Sequence, residues 1–302
     1  MRIKVIINAS AGATDQEQEH RRLISIFEAS SHEVSISLAR SGDELTALAQ
    51  RSAKKDFQIV VAGGGDGTIN TVASALLGTN ISLGILPLGT FNYFARNLNI
   101  PLEPEAAAQN IIAGHTVAVN VGEVNGRLFI NNSSLGLYPT IIREREKAYG
   151  RWGRSKLAAM ISAAATMLRP NPFLTLRLSA DHKDIVCRTP LIFVSNNVHQ
   201  MESYNIGGSE CLSAGKLALY VPRPDNWPGL LWLAARGLFG WLREVQDLRV
   251  LCAHELWIET RRRHIRVAID GEVVRMDTPL HYRMRPGALR VIVPASSQQR
   301  DT

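Results

Sequence analysis

The hydrophobic pattern of the chain changes near residue 117, and this change limits the fold more than any other feature of the sequence. Up to residue 116, short apolar runs alternate with segments whose apolar residues follow helical spacing. Such alternation predicts a mostly parallel sheet covered by helices, the α/β class. The expected strands are Ile3–Ile7, Val34–Leu38, Gln58–Ala62 and Ser82–Leu86, and the clearest helix covers Thr68–Leu77.

The second part of the chain consists mainly of strand-like runs. Beyond residue 116, short segments rich in Val, Ile, Phe and Tyr recur between turn pairs such as Asn125-Gly126, Asp270-Gly271 and Pro286-Gly287. This pattern predicts mainly antiparallel β-structure. Two helical insertions are expected within it, near Lys156–Leu168 and Pro228–Val245.

These patterns predict two domains in a chain of 302 residues. The length itself favours about two domains, because single cores rarely grow beyond ~250–300 residues. We place the first domain at residues 1–116 and the second at 117–294, and we allow the last strand to return to the first domain. Residues 295–302 are expected to form a flexible tail.

The charge of the chain favours anionic partners. Lys and Arg total 34 against 27 acidic residues, a formal net charge of +7. A basic excess suits a nucleotide, a nucleic acid or an acidic membrane surface. Because the charges are scattered, aromatics make up only 6% and no RNA-binding signature is present, we expect no nucleic-acid partner.

Cysteines and apolar segments narrow the cellular context. The three cysteines, Cys187, Cys211 and Cys252, form no C-x-x-C motif and no cluster with His. This disfavours a disulfide scaffold and a zinc site and indicates a reducing compartment. No signal peptide is evident, and the longest charge-free apolar stretch, Leu157–Leu168, is shorter than the ~18–20 residues that span a bilayer. We expect a cytoplasmic protein that is soluble or at most peripheral.

The most informative segment for function is Val60–Asn70, in which a buried strand runs through three glycines directly into a helix. Glycines permit positive φ angles and close approach by a ligand, and a helix N-terminus attracts phosphate. Asp66 is unusual beside a phosphate site unless it holds Mg²⁺, caps the helix or handles a proton. The alternative interpretation is a tight structural turn with Asp66 as the helix N-cap.

Three ordered motifs resemble one enzyme family. Gly64–Thr68 (GGDGT) resembles a signature shared by diacylglycerol-kinase-type lipid kinases, sphingosine kinases, NAD kinases and phosphofructokinases. Pro87–Arg96 is similar to the P-x-G-T-x-N-D-F-A-R element of the bacterial diacylglycerol kinase-like lipid kinases. Asp270-Gly271-Glu272, with Leu289–Val291 some way on, resembles the C-terminal D-G-E element of that family. The resemblance implies an ATP-dependent kinase acting on a lipid hydroxyl, with ATP between an α/β domain and a β-sandwich domain.

The resemblance also assigns roles to residues. Three loops that follow the carboxyl ends of strands would hold the nucleotide phosphates, where open α/β sheets bind ligands. The expected ATP-binding residues are Asn8, Ser10, Gly12, Gly64, Gly65, Asp66, Gly67, Thr68, Ile69, Asn70 and Thr90, and the expected acceptor-side residues are Asn92, Tyr93 and Arg96.

Two acidic residues are the catalytic candidates. Glu272 matches the proton acceptor of the family, and Asp66 would serve Mg²⁺–ATP or the transferred group. Phosphoryl transfer needs mainly alignment, charge stabilisation and a base that orients the nucleophile. The alternative for Glu272 is a solvated acid just after an Asp-Gly turn. No His is expected to act as the base, since none of the eight falls inside a motif.

The sequence departs from the family at three positions. Tyr93 replaces the Asp of the N-D pair, Leu38 replaces a threonine near the nucleotide, and Ala214 replaces the Asp of a secondary metal loop. Loss of that carboxylate disfavours a separate protein-bound Mg²⁺, because a hard cation prefers carboxylate oxygens. Mg²⁺ would then arrive with ATP, and no residue is assigned as a protein ligand to a metal.

Two segments could meet a membrane surface. Pro228–Arg243 is apolar and, with the adjoining Trp227, contains three of the five tryptophans, which suits an interfacial helix as well as a core helix. The basic stretch Arg143–Lys156 suits a solvated helix face that could meet anionic headgroups. Peripheral contact with the inner face of the membrane is therefore expected, with a lipid substrate as partner, and a homodimer is allowed.

Two alternatives to a lipid kinase stay open. A kinase for a soluble acceptor such as NAD would share the GGDGT segment, although the Pro87–Arg96 element and the tryptophan-rich helix argue against it. A catalytically weak lipid- or nucleotide-binding protein is suggested by Tyr93, Leu38 and Ala214.

Overall fold

A computed structural model describes residues 1–9, 16–152, 173–181, 183–203, 206–223, 228–229, 232 and 247–295. The chain divides into two units, one of Met1–Val121 together with the residues from Arg285 onward, and one of Gly122–Met284. The first unit is an α/β domain with a mostly parallel sheet, and the second is antiparallel, so the predicted fold class is confirmed. Residues 296–302 of the tail expected at 295–302, together with Ser10, Gly12 and most of both helical insertions, lie outside the described residues.

The first unit alternates strands and helices. Its elements are β1 (Arg2–Asn8), α1 (Gln16–Glu28), β2 (Glu33–Ala39), α2 (Gly42–Ala53), β3 (Ile59–Gly64), α3 (Asp66–Leu76), β4 (Ser82–Pro87), α4 (Tyr93–Asn97), α5 (Pro104–Ala113) and the first part of β5 (Thr116–Val124). The parallel strands lie in the order β2-β1-β3-β4. They are joined by the end of the last strand of the chain, where Val291 pairs with Leu83.

Apolar strands explain this sheet. β3 and β4 are buried at every position, which is typical of parallel strands covered on both faces. One face packs against α1 and α5, with Leu23 and Phe27 from α1 in its core. The helices α2 and α3 pack against each other. As a result, the loops after β1, β3 and β4 emerge at the same edge of the sheet.

The second unit consists of two antiparallel sheets and short helices. Its elements are β6 (Arg127–Phe129), β7 (Asn132–Gly136), α6 (Leu137–Trp152), β8 (Leu174–Ala180), β9 (Lys183–Thr189), β10 (Leu191–Ser195), α7 (Val198–Ser203), α8 (Ser209–Ser213), β11 (Leu217–Pro222), β12 (Leu248–Ala253), β13 (Glu255–Thr260), β14 (His264–Ile269), β15 (Glu272–Asp277) and the start of β16 (Leu280–Ile292). One sheet has the order β12-β11-β10-β7-β14-β15, and the other contains β16-β13-β8-β9.

A shared apolar core joins the two sheets of this unit. Leu135 and Val267 come from the first sheet, and Leu176 and Ile258 come from the second. Tyr282 is fully buried in the same core, and its hydroxyl lies 3.0 Å from the Ser133 hydroxyl. Burial raises the pKa of Tyr282 well above its usual range, so this side chain stays a neutral hydrogen-bonding group.

Two expected turns are confirmed and one is wrong. Asn125-Gly126 and Asp270-Gly271 have positive φ at both positions, as a tight hairpin turn requires. Pro286-Gly287 instead lies inside β16. There Gly287 has a φ of 56°, and its N–H donates to Asn120 Oδ1. The Asn120 side chain on β5 thus supplies a hydrogen-bond acceptor for Gly287, and β16 continues through a residue pair that is typical of turns.

The cysteines differ from the sequence-based expectation. Cys211 on α8 and Cys252 on β12 form a disulfide, although a disulfide scaffold is disfavoured by the sequence. The two residues are 41 positions apart, and only the packing of α8 on the sheet brings them together. Cys187 is the free thiol.

Thiol counting checks this pairing. We expect one reactive thiol in unfolded, non-reduced protein and three after reduction. In native protein Cys187 should react more slowly than free cysteine near neutral pH, because burial raises the pKa of its thiol and lowers the thiolate fraction. Three reactive thiols without reduction would contradict the disulfide. A Cys187→Ser variant should show no reactive thiol before reduction and therefore gives the background signal of the assay.

Candidate active site

Three loops of the first unit meet at the carboxyl ends of their strands. The loop after β1 contacts the start of α3, where Asn8 Nδ2 donates to Thr68 Oγ1 over 3.1 Å. The loop after β4 contacts the end of β3, where the Leu88 N–H donates to the Gly64 carbonyl over 3.1 Å. The structure therefore brings together Asn8, the Gly64–Asn70 segment and the Thr90 loop.

Close packing explains the glycines in these loops. A Cβ on Gly89 would lie 2.5 Å from the Gly65 Cα, and a Cβ on Gly64 would lie 2.4 Å from Thr68 Oγ1. None of Gly63, Gly64 and Gly65 has a positive φ. Two reasons for glycine follow from the sequence, a positive φ angle and a close approach. Close approach of neighbouring backbone segments explains these glycines, and a positive φ angle does not.

The amino end of α3 is open to an anion. Gly65 is its N-cap and has no side chain to accept a hydrogen bond from the first turn. The exposed Gly67 follows, and the helix dipole adds partial positive charge at this end. Backbone amides, a short glycine backbone and the Asn8–Thr68 pair together form a cradle suited to phosphate.

The other predicted phosphate contacts differ in exposure. Thr90 is exposed on the β4–α4 loop, whereas Thr68 is buried. The Ile69 side chain is fully buried, so only its backbone is available to a ligand. Asn70 is half-buried, and its Oδ1 accepts a hydrogen bond from Ser74 Oγ over 3.0 Å.

Asp66 connects two loops. Its two carboxylate oxygens accept hydrogen bonds from the backbone N–H groups of Tyr93 and Phe94, over 3.2 and 3.1 Å. Asp66 therefore caps the amino end of α4, and it is the first residue of α3 rather than its N-cap. The carboxylate fixes the position of the β4–α4 loop relative to the phosphate cradle.

Asn92 shapes the β4–α4 loop. It is buried with a φ of 51°, and its Nδ2 donates to the carbonyls of Pro87 and Gly89. Its Oδ1 accepts from the Gly89 N–H over 3.1 Å. The side chain of this predicted acceptor residue thus contacts its own loop. Tyr93 is half-buried and Arg96 is exposed on α4.

Asp270 organises the D-G-E turn of the second unit. Its carboxylate accepts three backbone hydrogen bonds, from the N–H groups of Ile130, Asn131 and Asn132, over 2.8–2.9 Å. The Asp270 N–H in turn donates to the Asn132 carbonyl. The turn is therefore tied to the start of β7 at four points.

Glu272 follows this turn and is exposed as the first residue of β15. It pairs with Ile269 across the hairpin and lies on the same strand face as Val274 and Met276, which pack on the core of the unit. Glu272 thus projects beyond the end of a packed face.

An asparagine network surrounds the same end of the sheet. Asn197 Nδ2 donates to Asn131 Oδ1 over 2.6 Å, and Asn132 Nδ2 donates to Gln200 Oε1 over 2.9 Å. Asn196 Nδ2 donates to the Ile130 carbonyl. All five side chains are buried. Buried amides that bond one another fix the geometry of the turn below Glu272.

Sequence reasoning missed the structural role of Asp270 and this network. The donors to Asp270 lie 138–140 residues earlier in the chain, so no local pattern shows the contact. The regular D-G-E spacing was the available signal, but it pointed to Glu272 alone.

The departures from the family pattern are visible in the structure. Leu38 lies on β2 with 43% of its surface exposed, and Ala214 follows the short helix α8. Within the described part of the chain, no group of three or more His, Cys, Asp or Glu residues could hold a metal ion.

The alanine variant of Gly89 tests the close packing of the loops. We expect Gly89→Ala to cost about 2 kcal/mol of unfolding free energy, because its Cβ meets backbone rather than a flexible side chain. Its affinity for ATP should fall as the cradle widens. Gly42→Ala is the control, since a Cβ there meets nothing within 4 Å. Calorimetric binding and urea unfolding measure both effects, and wild-type ATP affinity in Gly89→Ala would refute the packing argument.

Comparison with known proteins identifies the class that these features define. Residues 2–124, the part of the chain that holds the parallel strands and the phosphate cradle, match the model of the diacylglycerol kinase catalytic domain. The resemblance to the bacterial diacylglycerol kinase-like lipid kinases is thereby confirmed.

Individual relatives agree with this assignment. A diacylglycerol kinase of Bacillus subtilis (strain 168) is 35% identical over 133 residues, which cover 43% of this chain and 44% of that protein. The chain thus aligns with less than half the length of that relative. The probable lipid kinase YegS-like protein of Pseudomonas fluorescens is 28% identical over 299 residues, covering 93% of this chain and 92% of the relative.

A solved structure shares the fold. The crystal structure of a diacylglycerol kinase of Bacillus anthracis str. Sterne superposes with a TM-score of 0.71, at 20% identity and 98% coverage of both chains. At this identity the likeness concerns the fold.

Proposed function

We propose that this protein transfers the γ-phosphoryl group of ATP to a hydroxyl group of a lipid, diacylglycerol or a related molecule. The observation that carries this proposal is the phosphate cradle in a diacylglycerol kinase catalytic domain, built from Asn8, the Gly64–Asn70 segment and the Thr90 loop. Phosphoryl transfer depends mainly on positioning and charge stabilisation, which such a cradle supplies.

The cradle fits the phosphates of ATP. Gly65 and Gly89 approach so closely that a Cβ would fill the space, and the α3 amides point to one end of the sheet. Mg²⁺ bound to ATP would neutralise charge on the phosphates. The two oxygens of Asp66 already accept backbone hydrogen bonds, so its contribution is to hold the β4–α4 loop and to add negative charge near the metal-bound phosphates.

Glu272 is the proposed general base. A base must reach the proton of the acceptor hydroxyl, and an exposed carboxylate at the end of a packed strand is accessible to a substrate. Asp270 keeps this carboxylate in place through the turn that it stabilises. The proton passes from the acceptor hydroxyl to Glu272 as the oxygen attacks the γ-phosphorus, and the bond from this phosphorus to the bridging oxygen breaks to release ADP.

A lipid acceptor is supported by the relatives and by exposed apolar side chains. The YegS-like relative is named as a lipid kinase. Trp232, in the tryptophan-rich segment, is 64% exposed. Among the described residues, no helix has the length and apolar character needed to cross a membrane. We therefore propose a peripheral protein at the inner face of the membrane.

A weakly catalytic lipid- or nucleotide-binding protein is the second candidate. Tyr93 stands where the family has a carboxylate, and Ala214 where it has a metal ligand. Under this alternative the cradle would still bind ATP, while transfer to any lipid would be negligible.

Labelled ATP separates the candidates. We expect the purified protein to label a lipid in a total extract, identified by mass, and to leave NAD unlabelled. Label on NAD would favour a soluble-acceptor kinase. ATP binding without any labelled product would favour the binding protein, and Asp66→Ala serves as the inactive reference.

A further inference from the structure

The β4–α4 loop carries an exposed aromatic pair. Phe91 is 63% exposed, and its ring stacks on Tyr93 with centroids 5.4 Å apart and planes 2° from parallel. This is the offset arrangement that aromatic rings favour. The stacked pair therefore presents most of the Phe91 phenyl ring to solvent.

The loop holds the ring in solvent rigidly. Asp66 binds the N–H of Tyr93, and the Asn92 amide closes the turn on both sides. The Tyr93 ring stacks on the Phe91 ring and supports it from one side. The exposure is therefore a fixed property of the loop.

A positive charge lies beside the backbone of Phe91. Arg96, one turn later on α4, is exposed, and its Nε donates to the Phe91 carbonyl over 3.0 Å. An exposed aromatic ring beside a guanidinium is typical of side chains that enter the interface of an anionic membrane. The formal net charge of +7 also favours binding to an anionic membrane surface.

We infer that Phe91, supported by Tyr93 and Arg96, is an interfacial anchor that inserts into a bilayer containing anionic lipid. This inference rests on the proposed lipid acceptor, because such an acceptor is dissolved in the bilayer. The anchor brings the phosphate cradle to the membrane surface, since Asp66 joins the anchor loop to α3. The Tyr93 substitution thus gains a role: it replaces a carboxylate, which an anionic surface would repel, with a ring that supports Phe91.

Vesicle binding without nucleotide tests the anchor. Full-length protein is sedimented with vesicles of phosphatidylcholine containing phosphatidylglycerol. We expect Phe91→Ala to lower the partition coefficient about tenfold, as expected for loss of one inserted phenyl ring. Phe91→Trp should bind as well as wild type, and its added emission should shift to the blue on binding. Arg96→Gln should lose about fivefold on these vesicles and little on pure phosphatidylcholine.

The control is an exposed apolar residue in the other unit. Val186 is 72% exposed on β9, and Val186→Ala should bind vesicles like wild type. Unfolding midpoints verify that each variant is folded. Equal binding by Phe91→Ala and Val186→Ala, an unshifted Phe91→Trp emission or no binding by wild type would each overturn the inference.

The test separates this inference from the proposed function. Phe91-dependent vesicle binding with no phosphorylated lipid would support the anchor and refute the kinase proposal. Phosphorylation of lipid in detergent micelles, together with vesicle binding that does not depend on Phe91, would support the kinase proposal and refute the anchor.

Discussion

Replacing Glu272 by glutamine is expected to lower kcat on the order of a thousandfold, the range for loss of a positioned general base. The change keeps the size of the side chain and removes only its ability to accept a proton. Because Glu272 is exposed, the unfolding free energy should change by less than about 0.5 kcal/mol. ATP affinity should stay at the wild-type value, since the proposed phosphate contacts come from backbone amides of the first unit.

Glu259→Gln is the matched control for this experiment. Glu259 is also exposed on a strand of the second unit, and its replacement should leave turnover unchanged. Initial rates with the acceptor identified from the lipid extract measure the effect. A Glu272→Gln variant with wild-type kcat would remove Glu272 from the mechanism.

Asp270→Ala is expected to destabilise the second unit by about 3 kcal/mol. The variant leaves three backbone N–H groups without their charged acceptor, and hydrogen bonds to charged groups contribute ~1.5–3 kcal/mol each before partial rehydration. Turnover should fall as well, because the turn that presents Glu272 loosens. Urea unfolding and initial rates measure the two effects.

Asp181→Ala tests whether this effect depends on position. Asp181 also has a positive φ and accepts hydrogen bonds from the backbone N–H groups of His254 and Glu255. It is exposed, so water can replace it, and a smaller loss of stability with unchanged turnover is expected. Asp270→Asn should recover part of the stability, since an amide oxygen can still accept. Equal losses at Asp181 and Asp270 would contradict the special role of the D-G-E turn.

The sequence predicted the first unit well because its strands are apolar throughout. β3 and β4 are buried at every position, so composition alone marks them, and their boundaries differ from the prediction by at most two residues. The boundaries predicted for the domains, 116/117 and 294/295, stay predictions, whereas the units divide at 121/122 and 284/285.

The sequence did not predict β7 because this strand has almost no apolar signature. Asn132, Ser133 and Ser134 are buried in the middle of a sheet, between β10 and β14. Asn132 donates to Gln200, and the Ser133 hydroxyl lies beside that of Tyr282, so the partners of these two side chains are distant in the sequence. Period-two patterns detect strands that bury apolar side chains, and β7 buries polar ones.

The candidate site shows the same contrast between features that local sequence patterns predict and features that depend on distant contacts. Local motifs located the phosphate cradle and Glu272, whereas the capping of α4 by Asp66 spans 27–28 positions and has no local signal. The identity of the D-G-E and GGDGT segments was therefore predictable, and the contacts that fix their geometry were not.

The return of the chain to its first unit has a consequence for synthesis. Val291 pairs with β4, Ile292 contributes to the apolar core, and the Val293 N–H donates to the His115 carbonyl. A ribosome must therefore translate the chain as far as residue 293 before this core can close, even though its other strands emerge first. An excised fragment ending at residue 121 would lack a core strand, so recombinant expression of the first unit alone should supply residues 285–295 through a linker.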